Sequence, residues 1–92
     1  MAERRVTVGW PEGLHARPAS VFVRAATATG VPVTIARPGG APVNAASMLA
    51  VLTLGARGGD EVVLAVSTQD AEAALERLAT LVRDGLDELP AA

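Results

Sequence analysis

The sequence contains no cysteine, no lysine, no tyrosine and only one histidine. Without cysteine the chain forms no disulfide and offers neither a thiolate nucleophile nor a thiolate metal ligand. A single histidine also argues against a histidine-based metal site, so we expect no metal and no cofactor. Only two side chains are aromatic, Trp10 and Phe22, which leaves the core to valine, leucine and alanine.

The sequence also lacks a net positive charge and long apolar runs. The formal net charge of −2 argues against nucleic-acid binding, which needs a basic face. No apolar run approaches the roughly 20 residues of a membrane span, and the N-terminal residues lack the apolar core of a signal peptide. We therefore expect a cytoplasmic protein without membrane insertion. Its 92 residues suffice for a single domain over 1–92, with an ordered core over about 4–86 and a frayed tail over 87–92.

Apolar periodicity predicts elements in the order β-α-β-β-α-β-α. Alternating patterns indicate strands at residues 5–10, 31–37, 41–43 and 61–67. Helical spacing indicates helices that start at residues 15, 47 and 70, the last being the longest. Pro32 marks an edge or the end of a strand, whereas the apolar character of both faces favours a central position for 61–67. Amphipathic helices on one face of a single sheet give a two-layer α+β fold.

The segment 13–20 carries the clearest chemical signal. His15 is predicted to cap a helix whose first turn contains Ala16, Arg17 and Pro18. A helix start exposes N–H groups and partial positive charge, so it binds anions. A cation there opposes the helix dipole, so Arg17 is best explained by an anion that it binds. These parts suit a phosphoryl group on imidazole; the alternatives are a structural or merely exposed histidine and a solvated arginine.

A second feature is the short apolar helix after Ser47, which suits an N-cap position. A two-turn helix in so small a domain cannot bury every face. We expect one set of side chains to face outward, Met48, Leu49 and Leu52, and another to face inward, Val51 and Leu54. Exposed apolar patches often mark partner sites, although core packing is the alternative.

The two segments together resemble the HPr family, the histidine-containing phosphocarriers of the bacterial phosphoenolpyruvate-dependent sugar phosphotransferase system. Residues 13–18, Gly-Leu-His-Ala-Arg-Pro, resemble its active-site signature, and residues 43–49, Val-Asn-Ala-Ala-Ser-Met-Leu, resemble its second signature. The resemblance covers roughly residues 4–86. It implies an open-faced two-layer β-sandwich with a four-stranded antiparallel sheet and three helices on one face.

The resemblance also implies a function. His15 would accept a phosphoryl group on Nδ1 from phospho-Enzyme I and pass it to the IIA domain of a sugar permease. Ala16 and Arg17 would bind that phosphoryl group, and the protein would be a monomeric carrier rather than a stand-alone enzyme. Enzyme I and the IIA domain would both dock on Ser20 and Arg24 of the first helix and on Met48, Leu49 and Leu52 of the second.

This sequence departs from the family pattern at two positions. In some members an HPr kinase phosphorylates the serine that matches Ser47, but Ala46 stands where many regulated members carry a basic residue. Capping is therefore the favoured interpretation of Ser47. Glu12 places a carboxylate close to the phosphoryl site, where many members have a neutral polar residue.

Two other classes of function remain open from the residues alone. A regulatory module, whose phosphorylation state is itself the signal, would keep the same His15 and Arg17. A hydrolytic or acid–base enzyme built on His15 is disfavoured, because the chain has no second histidine and no cysteine.

Overall fold

A computed structural model describes residues 2–68 and 71–90 and has the predicted seven elements in the predicted order. The strands are β1 (Ala2–Thr7), β2 (Val33–Ala36), β3 (Val43–Asn44) and β4 (Glu61–Val66). The helices are α1 (Ala16–Ala28), α2 (Met48–Thr53) and α3 (Glu72–Asp84). Since α1 and α3 have 13 residues each, the expectation that the last helix is the longest is wrong.

The strands form one antiparallel sheet in the order β1-β4-β2-β3. The central position predicted for β4 is confirmed, because it pairs with β1 on one side and with β2 on the other. Strand β2 is also internal. Pro32 lies just before it, at the strand end rather than at a sheet edge, so its missing N–H costs the ladder nothing.

The core lies between the sheet and the helices. Along β4 the inward side chains Val62, Leu64 and Val66 are buried, as are Phe22 of α1 and Leu78 of α3. None of the helices in the described residues covers the opposite face, where Val63 and Thr34 remain partly exposed. The fold is therefore the predicted α+β open-faced sandwich, with a four-stranded antiparallel sheet and three helices.

Strand β1 starts and ends earlier than the predicted 5–10. The strand ends at Thr7, Val8 still bonds through its backbone to Gly59 and Asp60, and the N–H of Gly9 then donates to the carbonyl oxygen of Val82 at 2.8 Å. A Cβ on Gly9 would stand 2.1 Å from the carbonyl oxygen of Arg83. The strand ends early because the backbone at Gly9 turns against the end of α3, a contact that alternation in the sequence does not encode.

Helix α3 begins with Ala71 in the N-cap position, and the predicted start at Asp70 lies outside the described residues. Its end agrees with prediction, because Gly85 is left-handed with φ 62°. Among the described residues no helix is both long and apolar enough to cross a membrane.

The C-terminal residues 86–90 are attached to the domain, which corrects the prediction of a frayed tail from residue 87. The N–H of Leu86 donates to the Leu81 carbonyl oxygen at 3.0 Å, and Leu86 and Leu89 pack against the core. Further along, Nε of Arg77 donates to the carbonyl oxygen of Pro90 at 2.8 Å. We call residues 86–90 the C-terminal strap; residues 91–92 lie outside the described part of the chain.

Candidate phosphoryl site

His15 is the N-cap residue of α1, as predicted. Its backbone is extended, with φ −142° and ψ 151°, and its exposed side chain makes no capping hydrogen bond. Ser47 shows the ordinary arrangement by contrast, because its hydroxyl oxygen accepts from the N–H of Ala50 at 3.2 Å. The imidazole thus leaves the N–H groups of the first turn available to an anion.

Ala16 has an unusual backbone conformation directly after the histidine. Its φ of 50° makes it the one non-glycine residue with positive φ in ranges 2–68 and 71–90. An L-residue in this left-handed region is strained by roughly 1–2 kcal/mol. The sharp turn at Ala16 brings the chain from the extended His15 into the helix, so the N–H groups at the start of α1 begin beside the imidazole.

The loop before His15 is supported by close backbone packing. The N–H of Leu14 donates to the carbonyl oxygen of Ala56 at 2.9 Å, and the Leu14 side chain is buried. A Cβ on Gly13 would stand 2.4 Å from that same Ala56 oxygen, and one on Gly58 would stand 2.6 Å from the Trp10 carbonyl oxygen. Glycine is therefore required on both sides of this contact, which holds His15 at the surface.

Arg17 extends from the first turn of α1 into solvent. That turn contains no acidic residue, but the guanidinium forms an ion pair with Asp87 of the strap, with 3.4 Å between Nη2 and Oδ1. Two turns further along α1, Nη2 of Arg24 donates to the hydroxyl oxygen of Ser20 at 3.3 Å. The predicted cation and its neighbours thus share the exposed side of the helix.

The outward and inward faces of α2 are arranged as predicted. Val51 is fully buried and Leu54 is half-buried. The exposed side chains, Met48, Leu49 and Leu52, show 36%, 74% and 36% of their surface. These three residues, here called the apolar patch, lie on a helix that packs against α1. Their role in docking stays a prediction.

The structure places Ser47 at a helix cap and Glu12 in an exposed turn. Ser47 is half-buried and fills the capping role that its sequence position indicates. Glu12 is exposed in the turn before Gly13. Within the described ranges no group of three histidine, cysteine, aspartate or glutamate side chains is placed to hold a metal ion.

Sequence reasoning missed Asp87, because it treated residues 87–92 as a tail. A signal was present nonetheless. Gly85 ends α3, and an apolar residue directly after such a glycine, here Leu86, often packs back onto the last turn of its helix. That rule would have placed Leu86, and with it the start of the strap, against the end of α3.

Fold and site together define a small open-faced sandwich with an exposed histidine at the start of a helix, the architecture of a phosphoryl carrier. The sequence profile described as "PTS HPr component phosphorylation site" matches residues 2–84. The chain therefore belongs to the HPr family of phosphocarrier proteins of the phosphotransferase system, which are carriers rather than stand-alone enzymes.

Individual relatives agree with this assignment. The phosphocarrier protein HPr of Streptomyces coelicolor is 78% identical over 90 residues, covering 98% of this chain and 97% of that protein. A crystal structure of HPr from Bacillus anthracis superposes with a TM-score of 0.81 at 36% identity, covering 88% of this chain and 95% of its own. HPr from Thermoanaerobacter tengcongensis gives a TM-score of 0.82 at 31% identity, covering 94% and 98%.

Proposed function

We propose that this protein accepts a phosphoryl group from phospho-Enzyme I on Nδ1 of His15 and passes it to the IIA domain of a sugar permease. The observation that carries the proposal is the conformation of His15. The residue occupies an N-cap position, yet its side chain caps nothing and is exposed to solvent. Such an imidazole is free to react while the helix end beside it is free to bind the charge.

The chemistry requires little of the protein beyond positioning. The lone pair of Nδ1 attacks phosphorus, the P–Nδ1 bond forms, and the bond between phosphorus and the donor breaks. The N–H groups at the start of α1 and the guanidinium of Arg17 stabilise the negative charge on the phosphoryl oxygens. Transfer to the IIA domain is the same displacement with His15 as the leaving group.

Both exchanges require protein partners to approach the same exposed histidine. The apolar patch on α2 offers a contact surface next to α1, which carries Arg17 and Arg24. A partner that fits it has an apolar face with acidic groups around it. The proposal includes a monomer in the cytoplasm as the working form.

The test is phosphorylation by purified Enzyme I and phosphoenolpyruvate, followed by intact-mass measurement. We expect a gain of one phosphate that is lost in acid and absent from His15→Ala. Ser47→Ala is the matched control and should still gain the phosphate. No gain in the unmodified protein, or a gain that survives His15→Ala, would overturn the proposal.

A further inference from the structure

The arginine of the proposed phosphoryl site already has an anionic partner. Nη2 of Arg17 lies 3.4 Å from Oδ1 of Asp87, and the two side chains are 74% and 72% exposed. The pair is accessible to a competing anion, because neither side chain is enclosed. Asp87 comes from the C-terminal strap, far from Arg17 in the sequence.

The strap holds Asp87 in place through its backbone. Gly85 turns the chain back, the N–H of Leu86 bonds to the Leu81 carbonyl oxygen, and the Leu86 carbonyl oxygen accepts from Nε1 of Trp10 at 3.2 Å. Leu86 is therefore fixed at both its N–H and its carbonyl group, and Asp87 is the next residue. The carboxylate beside Arg17 is thus positioned by the fold and not only by attraction between two mobile side chains.

Opposite charges face each other across a shallow groove between α1 and the strap. Arg17 and Arg24 line the groove on the helix side, and Asp87 and Glu88 line it on the strap side. Of these two carboxylates only Asp87 forms an ion pair within the described part of the chain. Glu88 therefore provides an internal comparison: the same charge, on the neighbouring residue, without the contact.

We infer that Asp87 is a positioning residue that acts through Arg17, as a counter-ion that the phosphoryl group displaces. The inference rests on the proposed function of His15. While His15 is unmodified, Asp87 neutralises the guanidinium. A phosphoryl group carries a charge of about −1.5 to −2 near neutral pH, against −1 for a carboxylate, so it takes over the guanidinium when it arrives.

The exchange has an energetic consequence. Part of the attraction between Arg17 and the phosphoryl group is offset by the loss of the pair with Asp87. The site therefore holds its phosphoryl group less tightly than an unpaired arginine would, which favours release to the next protein. Exposed ion pairs of this kind change an equilibrium by about two- to fivefold.

The direct test measures the binding of inorganic phosphate to the unphosphorylated protein by NMR, following the backbone amides of Ala16 and Arg17 at low salt. We expect Asp87→Asn to lower the apparent Kd about two- to fivefold. Glu88→Gln removes the same charge and should produce less than half of that change on a logarithmic scale. Equal effects of the two variants, or no effect of Asp87→Asn, would overturn the inference.

Two further readouts separate positioning from general electrostatics and from a merely structural role. The effect of Asp87→Asn should vanish in an Arg17→Ala background and should shrink in 0.5 M salt, since screening weakens exposed charge pairs. Persistence of the effect without Arg17 would contradict the inference. Because phosphate binding needs no Enzyme I, failure of His15 to become phosphorylated would defeat the proposed function without deciding this test.

Discussion

The indole N–H of Trp10 donates a 3.2 Å hydrogen bond to the carbonyl oxygen of Leu86. This bond joins the loop that precedes His15 to the C-terminal strap, whose next residue pairs with Arg17. The segments on either side of the proposed phosphoryl site are therefore connected through one buried side chain. Substitution of Trp10 should therefore perturb both the loop before His15 and the C-terminal strap.

Trp10→Phe keeps an aromatic ring in the core but removes this donor. The part-buried Leu86 carbonyl oxygen loses its partner, so we expect the free energy of unfolding to fall by about 1–3 kcal/mol. Urea denaturation followed by circular dichroism measures the change, since the variant lacks the only tryptophan. An unchanged unfolding midpoint would show that the bond does not hold the strap.

Ala16→Gly tests the strain next to His15. Glycine tolerates the φ of 50° without steric cost, which recovers about 1–2 kcal/mol, but it loses about 0.5–1 kcal/mol through the entropy of the unfolded chain. We expect no loss of stability and a gain of up to about 1.5 kcal/mol in urea denaturation. Ala73→Gly, at an exposed helical position of ordinary backbone geometry, should lose about 0.5–1 kcal/mol. Equal losses in both variants would mean that Ala16 stores no strain.

Leu49→Ala separates docking from folding in the apolar patch. Leu49 is 74% exposed, so the free energy of unfolding should change by less than about 0.5 kcal/mol. The KM of Enzyme I for this protein should rise about 5- to 30-fold, as for loss of 1–2 kcal/mol of contact. Val51→Ala, on the buried side of the same helix, is the matched control.

For the control the pattern should reverse. Val51→Ala should lose about 1–3 kcal/mol of stability and, at a temperature where it is folded, keep a nearly normal KM. If Leu49→Ala leaves KM unchanged, the patch is not the docking surface.

The carboxyl of Asp84 gives a pH-dependent contribution at the end of α3. Its hydrogen bond from the Arg83 guanidinium lowers the pKa of that carboxyl below the ordinary 3.8. A lowered folded-state pKa contributes stability that is present above the unfolded value and is lost as pH falls through the folded value. NMR titration should place the Asp84 midpoint below 3.8, and Arg83→Gln should return it toward that value. A midpoint at or above 3.8 in the unmodified protein would contradict the assignment.

Local signals in the sequence were enough for much of the fold and for part of the site. The hydroxyl of Ser47 caps the start of α2, and Gly85, which has no side chain, adopts the left-handed conformation that ends α3. Both helix ends are therefore set by residues close together in the sequence. The exposure of the apolar patch followed from the size of the domain. The position of His15 at the start of α1 could be predicted because a helix accommodates a proline, here Pro18, in its first turn and not in its interior.

What could not be predicted depends on contacts between distant segments. The early end of β1 arises where Gly9 meets the end of α3. The ion-pair partner of Arg17 comes from a strap that is hydrogen-bonded to Trp10, and periodicity in the sequence carries no information about that contact. The positive φ of Ala16 is imposed by the loop around it, since alanine itself disfavours that conformation.

Onward transfer of the phosphoryl group tests the central claim most directly. The protein is phosphorylated with labelled phosphoenolpyruvate, separated from Enzyme I, and mixed with a purified IIA domain. We expect the label to leave His15 and appear on the IIA domain in stoichiometric amounts. Label that stays on this protein, or that is released only to water, would contradict its role as a carrier.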